Sequence, residues 1–268
     1  MAKKIITILL LTIAVFGCTR SPYYATNKAY KKQAKTYAKM LSANPLVDTI
    51  FGNTNWVGTT NFGMRKPNFV IIHHTAQNSC QQTLTTFTTI KSQVSSHYVI
   101  CKDGTVHHML NDYLRAYHAG VGKWGNNSDI NSSSLGIEID NNGFEKFTDE
   151  QINSLITLLA TLKKVYNIPA ANFIGHSDIA PTRKVDPNIY FPWKIVAQKG
   201  FGLWQDDALP IAADSSFNHM QALRIIGYDI KDSTAAIRSF KRHFMQDSTK
   251  KITEDDRRVL QNLYKKYL

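Results

Sequence analysis

Seven of the nine histidines fall between positions 73 and 176: His73, His74, His97, His107, His108, His118 and His176. They share that stretch with a polar loop running Gly175-His176-Ser177-Asp178-Ile179-Ala180-Pro181-Thr182-Arg183-Lys184-Val185-Asp186-Pro187. Pro181 and Pro187 exclude a continuous helix there, so the segment reads as a shaped surface loop offering an imidazole, two carboxylates and two cations. Imidazole nitrogen and carboxylate oxygen both bind Zn²⁺ at about 2.0–2.2 Å, and a catalytic zinc keeps three protein ligands and one open position. A histidine from the end of the Ile71-Ile72 run would complete such a set. Strand parity does not choose between His73 and His74, and a solvated polar loop is the plainer reading.

Glu138 is the second chemical feature. In Leu135-Gly136-Ile137-Glu138-Ile139-Asp140 successive side chains alternate faces, so Glu138 shares a face with Gly136 and Asp140. An acid inside an apolar strand is costly unless it is satisfied or functional, and burial would raise its pKa into the range of a general base. A polar-face residue on a half-exposed strand is the alternative.

The elements that must hold these groups read as a mixture. Residues 68–74 form a short apolar run suited to a buried strand. Residues 96–101 and 105–110 flank Asp103-Gly104 as a β-hairpin. Thr148 and Gln151 form a capping box, and Ile152, Leu155, Ile156, Leu159, Leu162 and Val165 recur at helical spacing, so the sequence predicts a helix over 149–166 that ends at Ile168-Pro169. Phe173-Ile174 is another short strand. This alternation points to an α/β domain. Beyond Pro210, helical patterns at 216–226, 234–244 and 253–267 read as a small three-helix module.

Composition bounds the possibilities. The 268 residues are 43% apolar and 19% charged, which is ample for a sizeable core. The net charge of +12 first suggests nucleic acid or an anionic surface. Its distribution argues otherwise: 43–210 carries 13 basic and 13 acidic residues, and the excess lies at the two ends. The chain opens with Lys3 and Lys4, an apolar stretch over 5–16, and Gly17-Cys18, the layout of a secretory signal. Twelve residues at about 1.5 Å each are too short for a hydrocarbon core of roughly 30 Å. The Val15–Cys18 ending resembles a bacterial lipobox, which implies lipidation of Cys18; ordinary signal cleavage near Gly17 is the alternative. Over 21–42, Lys28, Lys31, Lys32, Lys35 and Lys39 stand without any acid, as in a tether on an anionic surface or a plain linker. Cys80 and Cys101 would be a disulfide in an exported protein, or two separate thiols.

Taken together, Ile71-Ile72-His73-His74-Thr75-Ala76, Ser96-His97-Tyr98, Tyr117-His118-Ala119-Gly120, Leu135-Gly136-Ile137-Glu138 and the Gly175–Pro187 loop resemble the zinc-dependent type 2 N-acetylmuramoyl-L-alanine amidase family, related to peptidoglycan recognition proteins. The resemblance spans about 67–193. It implies a mixed central β-sheet flanked by helices and one Zn²⁺ per chain on His73, His176 and Asp186. It also implies Glu138 as catalytic acid and base, Lys184 facing the reacting carbonyl, and His118 lining the substrate cleft. Thr182 and Asn188 stand where relatives commonly carry glycine. Ile226-Gly227-Tyr228 and Phe240-Lys241-Arg242-His243-Phe244 resemble the peptidoglycan-binding module of lipoprotein amidases in that family.

The expected layout is a lipoprotein signal peptide (1–17), a lipid anchor and basic tether (18–45), a zinc amidase domain (46–205) and a helical peptidoglycan-binding-like module (206–268). The expected partners are peptidoglycan or muropeptides and the membrane, through the lipid on Cys18. Nucleic acid is not an expected partner. The protein is expected to be a monomer on the outer membrane of a Gram-negative cell, facing the periplasm. Two other functions compete: a non-catalytic recognition module, which characteristically lacks a ligand, and a different zinc hydrolase. The chain has no His-Glu-x-x-His helix to support a common metalloprotease.

Overall fold

The computed structural model describes residues 21–42 and 59–268. The signal segment, Cys18 and positions 43–58 lie outside the described residues. The chain divides into two compact units, Met1–Phe62 and Gly63–Leu268. In the first, α1 (Tyr24–Ser42) buries no residue. Its five lysines, at spacings of three and four, fall on one side of the helix, and Tyr30, Tyr37 and Leu41 fall on the other.

The second unit is built on a five-stranded sheet ordered β3-β2-β4-β1-β5. The strands are β1 (Phe69–His74), β2 (Tyr98–Ile100), β3 (Val106–His108), β4 (Ser134–Ile139) and β5 (Phe173–Gly175). β1 pairs parallel with β4 and β5, β2 pairs parallel with β4, and β2 and β3 form the antiparallel hairpin. The sheet is mixed, as expected. The hairpin strands are shorter than their sequence pattern, and Gly104 takes φ +81° in the turn.

α4 (Asp149–Tyr166) starts at the Thr148/Gln151 capping box and ends at Asn167 in the left-handed conformation. Its Leu155, Leu159 and Leu162 pack with Val70, Ile72, Leu135, Ile137 and Ile139 on one face of the sheet. The opposite face carries Ile71 and Ile174. These join a cluster with Leu223 and Ile226 of α7 (His219–Ile226), Phe240 and Phe244 of α8 (Ser233–Phe244), and Leu260 and Leu263 of α9 (Glu254–Tyr267). The three C-terminal helices therefore share one hydrophobic core with the sheet. Asn218, Asp232 and Thr253 cap them with side-chain acceptors.

Four short helices have no clear sequence signal: α2 (Cys80–Thr88), α3 (Ile130–Ser133), α5 (His176–Ile179) and α6 (Trp193–Gln198). α2 is rich in threonine, which has poor helix propensity, and it is started by Ser79, whose side chain accepts from the Gln82 N–H. Cys80 at its first turn is disulfide-bonded to Cys101 just beyond β2, with Cα atoms 5.3 Å apart. Replacing both cysteines by serine is expected to cost about 2–4 kcal/mol of stability, as a shifted denaturant midpoint under oxidising conditions. Under reducing conditions the two chains should unfold alike.

Candidate metal centre

Sheet register decides which histidine faces the site. His73 on β1 stands opposite Glu138 on β4, and Ile71 stands opposite Gly136. All four lie on the face away from α4, whereas His74 points to the other side. His176 follows directly on β5, which pairs with β1. Asp186 returns on the following loop, where its carbonyl accepts the Ser177 N–H at 2.7 Å. His73, His176 and Asp186 thus meet at the carboxyl ends of neighbouring parallel strands, where α/β sheets generally bind ligands.

Three atoms converge there. His73 Nδ1 lies 2.9 Å from His176 Nδ1 and 3.0 Å from Asp186 Oδ2, and His176 Nδ1 lies 2.9 Å from that oxygen. All three residues are buried. The hydrogen-bond network assigns the protons. His176 Nε2 lies 3.0 Å from the Ala119 carbonyl, which can only accept, so Nε2 carries a hydrogen and, in the neutral ring, Nδ1 has a lone pair. Ser134 Oγ donates to the Ile130 carbonyl at 2.6 Å and so accepts from His118 Nε2 at 3.2 Å. His118 Nδ1 then accepts from His73 Nε2 at 3.1 Å. His73 Nδ1 is left with a lone pair as well.

With both rings neutral, two lone pairs and a carboxylate oxygen face one another, an arrangement that is repulsive without a cation. Ligand atoms around a tetrahedral zinc at 2.0–2.2 Å stand roughly 3.3–3.6 Å apart, so small side-chain movements adapt the trio to the ion. The donor set of two imidazoles and one carboxylate suits Zn²⁺. Burial, and after it the neighbouring His176, pushes the His73 pKa down to about 4, so the ring is neutral at physiological pH.

Glu138 completes the geometry. One carboxylate oxygen lies 4.0 Å from His73 Nδ1, and the other is buried without a hydrogen-bond partner. The side chain is 12% exposed. Burial raises its pKa to about 8, the Asp186 charge adds to the rise, and Lys184 offsets part of it. Lys184 is half-buried on the same loop as Asp186.

His118 sits differently from a residue on an open cleft wall. It is only 9% exposed and backs His73 through the bond between their rings. It fits because Gly136 lacks a side chain: a Cβ there would stand 2.4 Å from His118 Cγ. Gly136→Ala should displace the ring, costing about 1–3 kcal/mol of stability. It should also weaken zinc binding roughly 10–100-fold, read by chelator competition beside a thermal melt. The remaining histidines of the cluster do not join the trio, although His97 stands edge-on to His118 at 5.9 Å between centroids and its Nδ1 accepts the Gly136 N–H at 3.1 Å. His97 packs against Arg65, and His108 stacks on Tyr98 and contacts Asp112. Asp140, past the end of β4, accepts from the Cys80 backbone. The Ala119 carbonyl and Ser134, which fix the tautomers, have no sequence signature.

The fold and the site define a class of α/β domain with a candidate cation-binding centre, His73, His176 and Asp186, at the carboxyl edge of a mixed sheet. The profile of the family described as N-acetylmuramoyl-L-alanine amidase matches residues 63–189. The chain is 31% identical over 206 residues to N-acetylmuramoyl-L-alanine amidase AmiD of Escherichia coli, covering 65% of this chain and 74% of that protein. The chain belongs to the type 2 N-acetylmuramoyl-L-alanine amidase family.

It is also 37% identical over 103 residues to 1,6-anhydro-N-acetylmuramyl-L-alanine amidase AmpD of Haemophilus influenzae, covering 38% of this chain and 56% of that protein. Among solved structures, Escherichia coli AmiD in complex with anhydro-N-acetylmuramic acid-L-Ala-D-gamma-Glu-L-Lys aligns with a TM-score of 0.68 at 26% identity. That alignment covers 78% of this chain and 93% of AmiD. AmpDh3 of Pseudomonas aeruginosa aligns with a TM-score of 0.69 at 27% identity, covering 83% of this chain and 98% of that one.

Proposed function

We propose that the chain is a zinc-dependent N-acetylmuramoyl-L-alanine amidase. It hydrolyses the amide between the lactyl group of N-acetylmuramic acid and L-alanine, in peptidoglycan or its fragments, during wall degradation and turnover. The observation carrying this reading is the buried trio of acceptors, His73 Nδ1, His176 Nδ1 and Asp186 Oδ2, beside a carboxylate oxygen of Glu138 that has no partner. The relatives named for this bond support the substrate, and two of the aligned proteins were solved with anhydromuramyl peptides.

His73, His176 and Asp186 would hold one Zn²⁺. Bound there, the ion supplies Lewis acidity, which lowers the pKa of a water and polarises an amide carbonyl. Glu138 takes a proton from the attacking water at its free oxygen and delivers it to the departing L-alanine nitrogen. The Lys184 ammonium offsets the negative charge that develops on the carbonyl oxygen. His118 holds the His73 ring in one tautomer and orientation.

We place the protein as a monomer, lipidated at Cys18, on the outer membrane of a Gram-negative envelope facing the periplasm. The signal-like start, the lipobox resemblance and the Cys80–Cys101 disulfide, which suits an oxidising compartment, support that placement. The test is mass spectrometry of muropeptides, with and without the anhydro sugar, after digestion by the zinc-loaded protein. Free peptides beginning at L-alanine are expected. Cleavage within the peptide, or no cleavage by a chain carrying one equivalent of zinc, overturns the reading.

A further inference from the structure

Behind the proposed metal ligands lies a second buried polar cluster, formed between the ligand loop and the C-terminal helices. Its centre is Asp178, two residues after His176 and 0% exposed. Asp178 Oδ2 accepts from the Gly175 N–H and from His243 Nδ1, each at 2.7 Å. Asp178 Oδ1 accepts from the Tyr228 hydroxyl at 2.8 Å. Ser239 has one hydroxyl hydrogen, and the shorter contact claims it: Oγ donates to the Ser177 carbonyl at 2.7 Å, leaving 3.4 Å to Asp178 Oδ1 as a weaker contact.

Three of these partners, Tyr228, Ser239 and His243, belong to the C-terminal helical part, and none reaches the metal trio itself. What they grip is the backbone of α5. Gly175 precedes His176, Ser177 follows it, and the Ser177 N–H donates to the Asp186 carbonyl at 2.7 Å. One turn therefore connects both ligands, and it is fastened from behind at Gly175, Ser177 and Asp178. The clamp is itself rigid. The His243 ring stacks on Trp193 at 3.8 Å between centroids and on Phe244 at 4.1 Å. Tyr228 packs edge-on against Trp124 at 5.0 Å.

We propose that Tyr228, Ser239 and His243 are positioning residues for the metal centre, so that the C-terminal helices complete the zinc site as well as any role they have toward the wall. The inference rests on the zinc reading given above. A buried carboxylate with charge-assisted bonds on both oxygens holds its turn in one arrangement. The convergence of His176 with His73 requires that arrangement, because three ligand atoms must meet on one ion. Removing Tyr228 or His243 as a donor leaves Asp178 under-satisfied in the core, removing the Ser239 hydroxyl takes the 2.7 Å donor from the Ser177 carbonyl, and in each case the turn shifts to recover a partner.

The test is Zn²⁺ affinity, by competition with a chromogenic chelator, and the visible spectrum of the Co²⁺-loaded protein, whose ligand-field bands report coordination geometry. The full chain is compared with Tyr228→Phe, Ser239→Ala, His243→Leu and His243→Asn. The asparagine variant keeps an N–H near the position of Nδ1. Tyr228→Phe, Ser239→Ala and His243→Leu should lose about 10–100-fold in zinc affinity with altered Co²⁺ bands, and His243→Asn should recover most of the loss. Circular dichroism of the metal-free proteins identifies any variant that fails to fold, and the mildest change, Ser239→Ala, then decides.

Folded variants with unchanged zinc affinity and Co²⁺ bands overturn the positioning role and leave the zinc reading intact. A folded parent chain that takes up no zinc overturns the zinc reading itself. Equal loss in His243→Leu and His243→Asn makes the contribution of His243 one of packing and overturns its role as a donor.

Discussion

Glu138→Gln is expected to leave zinc bound and to slow muropeptide cleavage by about 10²–10⁴-fold, the usual worth of a placed general acid–base group. The glutamine has nearly the same shape and sits on the same strand, in register with His73, so the fold and the ligand trio should persist. What it lacks is a site that takes up and releases a proton. The carboxylate occupies a costly position: burial and the Asp186 charge push its pKa up to about 8 in the metal-free chain. A dication bound beside it acts in the opposite direction and favours the ionised form. Activity of the parent should therefore rise with pH as Glu138 loses its proton, and this acid limb should vanish from the residual rate of Glu138→Gln. Parent-like turnover by the variant would remove Glu138 from the mechanism; loss of zinc along with activity would give it a ligand's role instead.

The chemistry of this chain is more legible in its sequence than its placement is. The histidine grouping, the alternation around Glu138 and the Gly175–Pro187 loop name the groups that meet in space. The choice between His73 and His74 is not legible, because β1 is covered on both faces and five of its six residues are buried. Amphipathic parity has no polar side to read there, and only the pairing of His73 with Glu138 settles it. The long helix α4 announces itself through its capping box and its apolar spacing. The four short helices do not, since tertiary contacts and local caps outweigh propensity in so few residues. His118 illustrates the same limit: its place behind His73 depends on the missing side chain of Gly136, eighteen positions further along the chain. The three C-terminal helices are visible as periodic patterns, yet their share in the sheet's core appears only when Ile71 and Ile174 are seen packed with Phe240 and Leu260.

Asp186→Asn should separate metal binding from folding, with opposite signs for the two. The substitution removes the only anionic member of the trio, leaving two neutral imidazoles and a weakly coordinating amide. Zinc affinity should fall by more than about 100-fold, beyond the loss expected from an outer-shell change, and cleavage should be lost at limiting zinc. In the metal-free protein the balance is reversed. With both rings neutral, the wild-type carboxylate oxygen stands 3.0 and 2.9 Å from two imidazole lone pairs, three acceptors with no donor among them. An asparagine can turn its NH₂ toward those nitrogens and supply the missing hydrogens, a gain of about 0.5–1.5 kcal/mol per bond formed. Thermal melts should therefore cross. Without zinc, Asp186→Asn should melt at or above the wild-type temperature. With zinc at about a hundred times its wild-type Kd, the wild-type chain should gain about 2.7 kcal/mol and the variant almost nothing. A variant that is destabilised without metal would mean that a proton already bridges the trio in the wild-type chain and that the lone-pair assignment is wrong. Wild-type zinc affinity in the variant would exclude Asp186 from the ligand set.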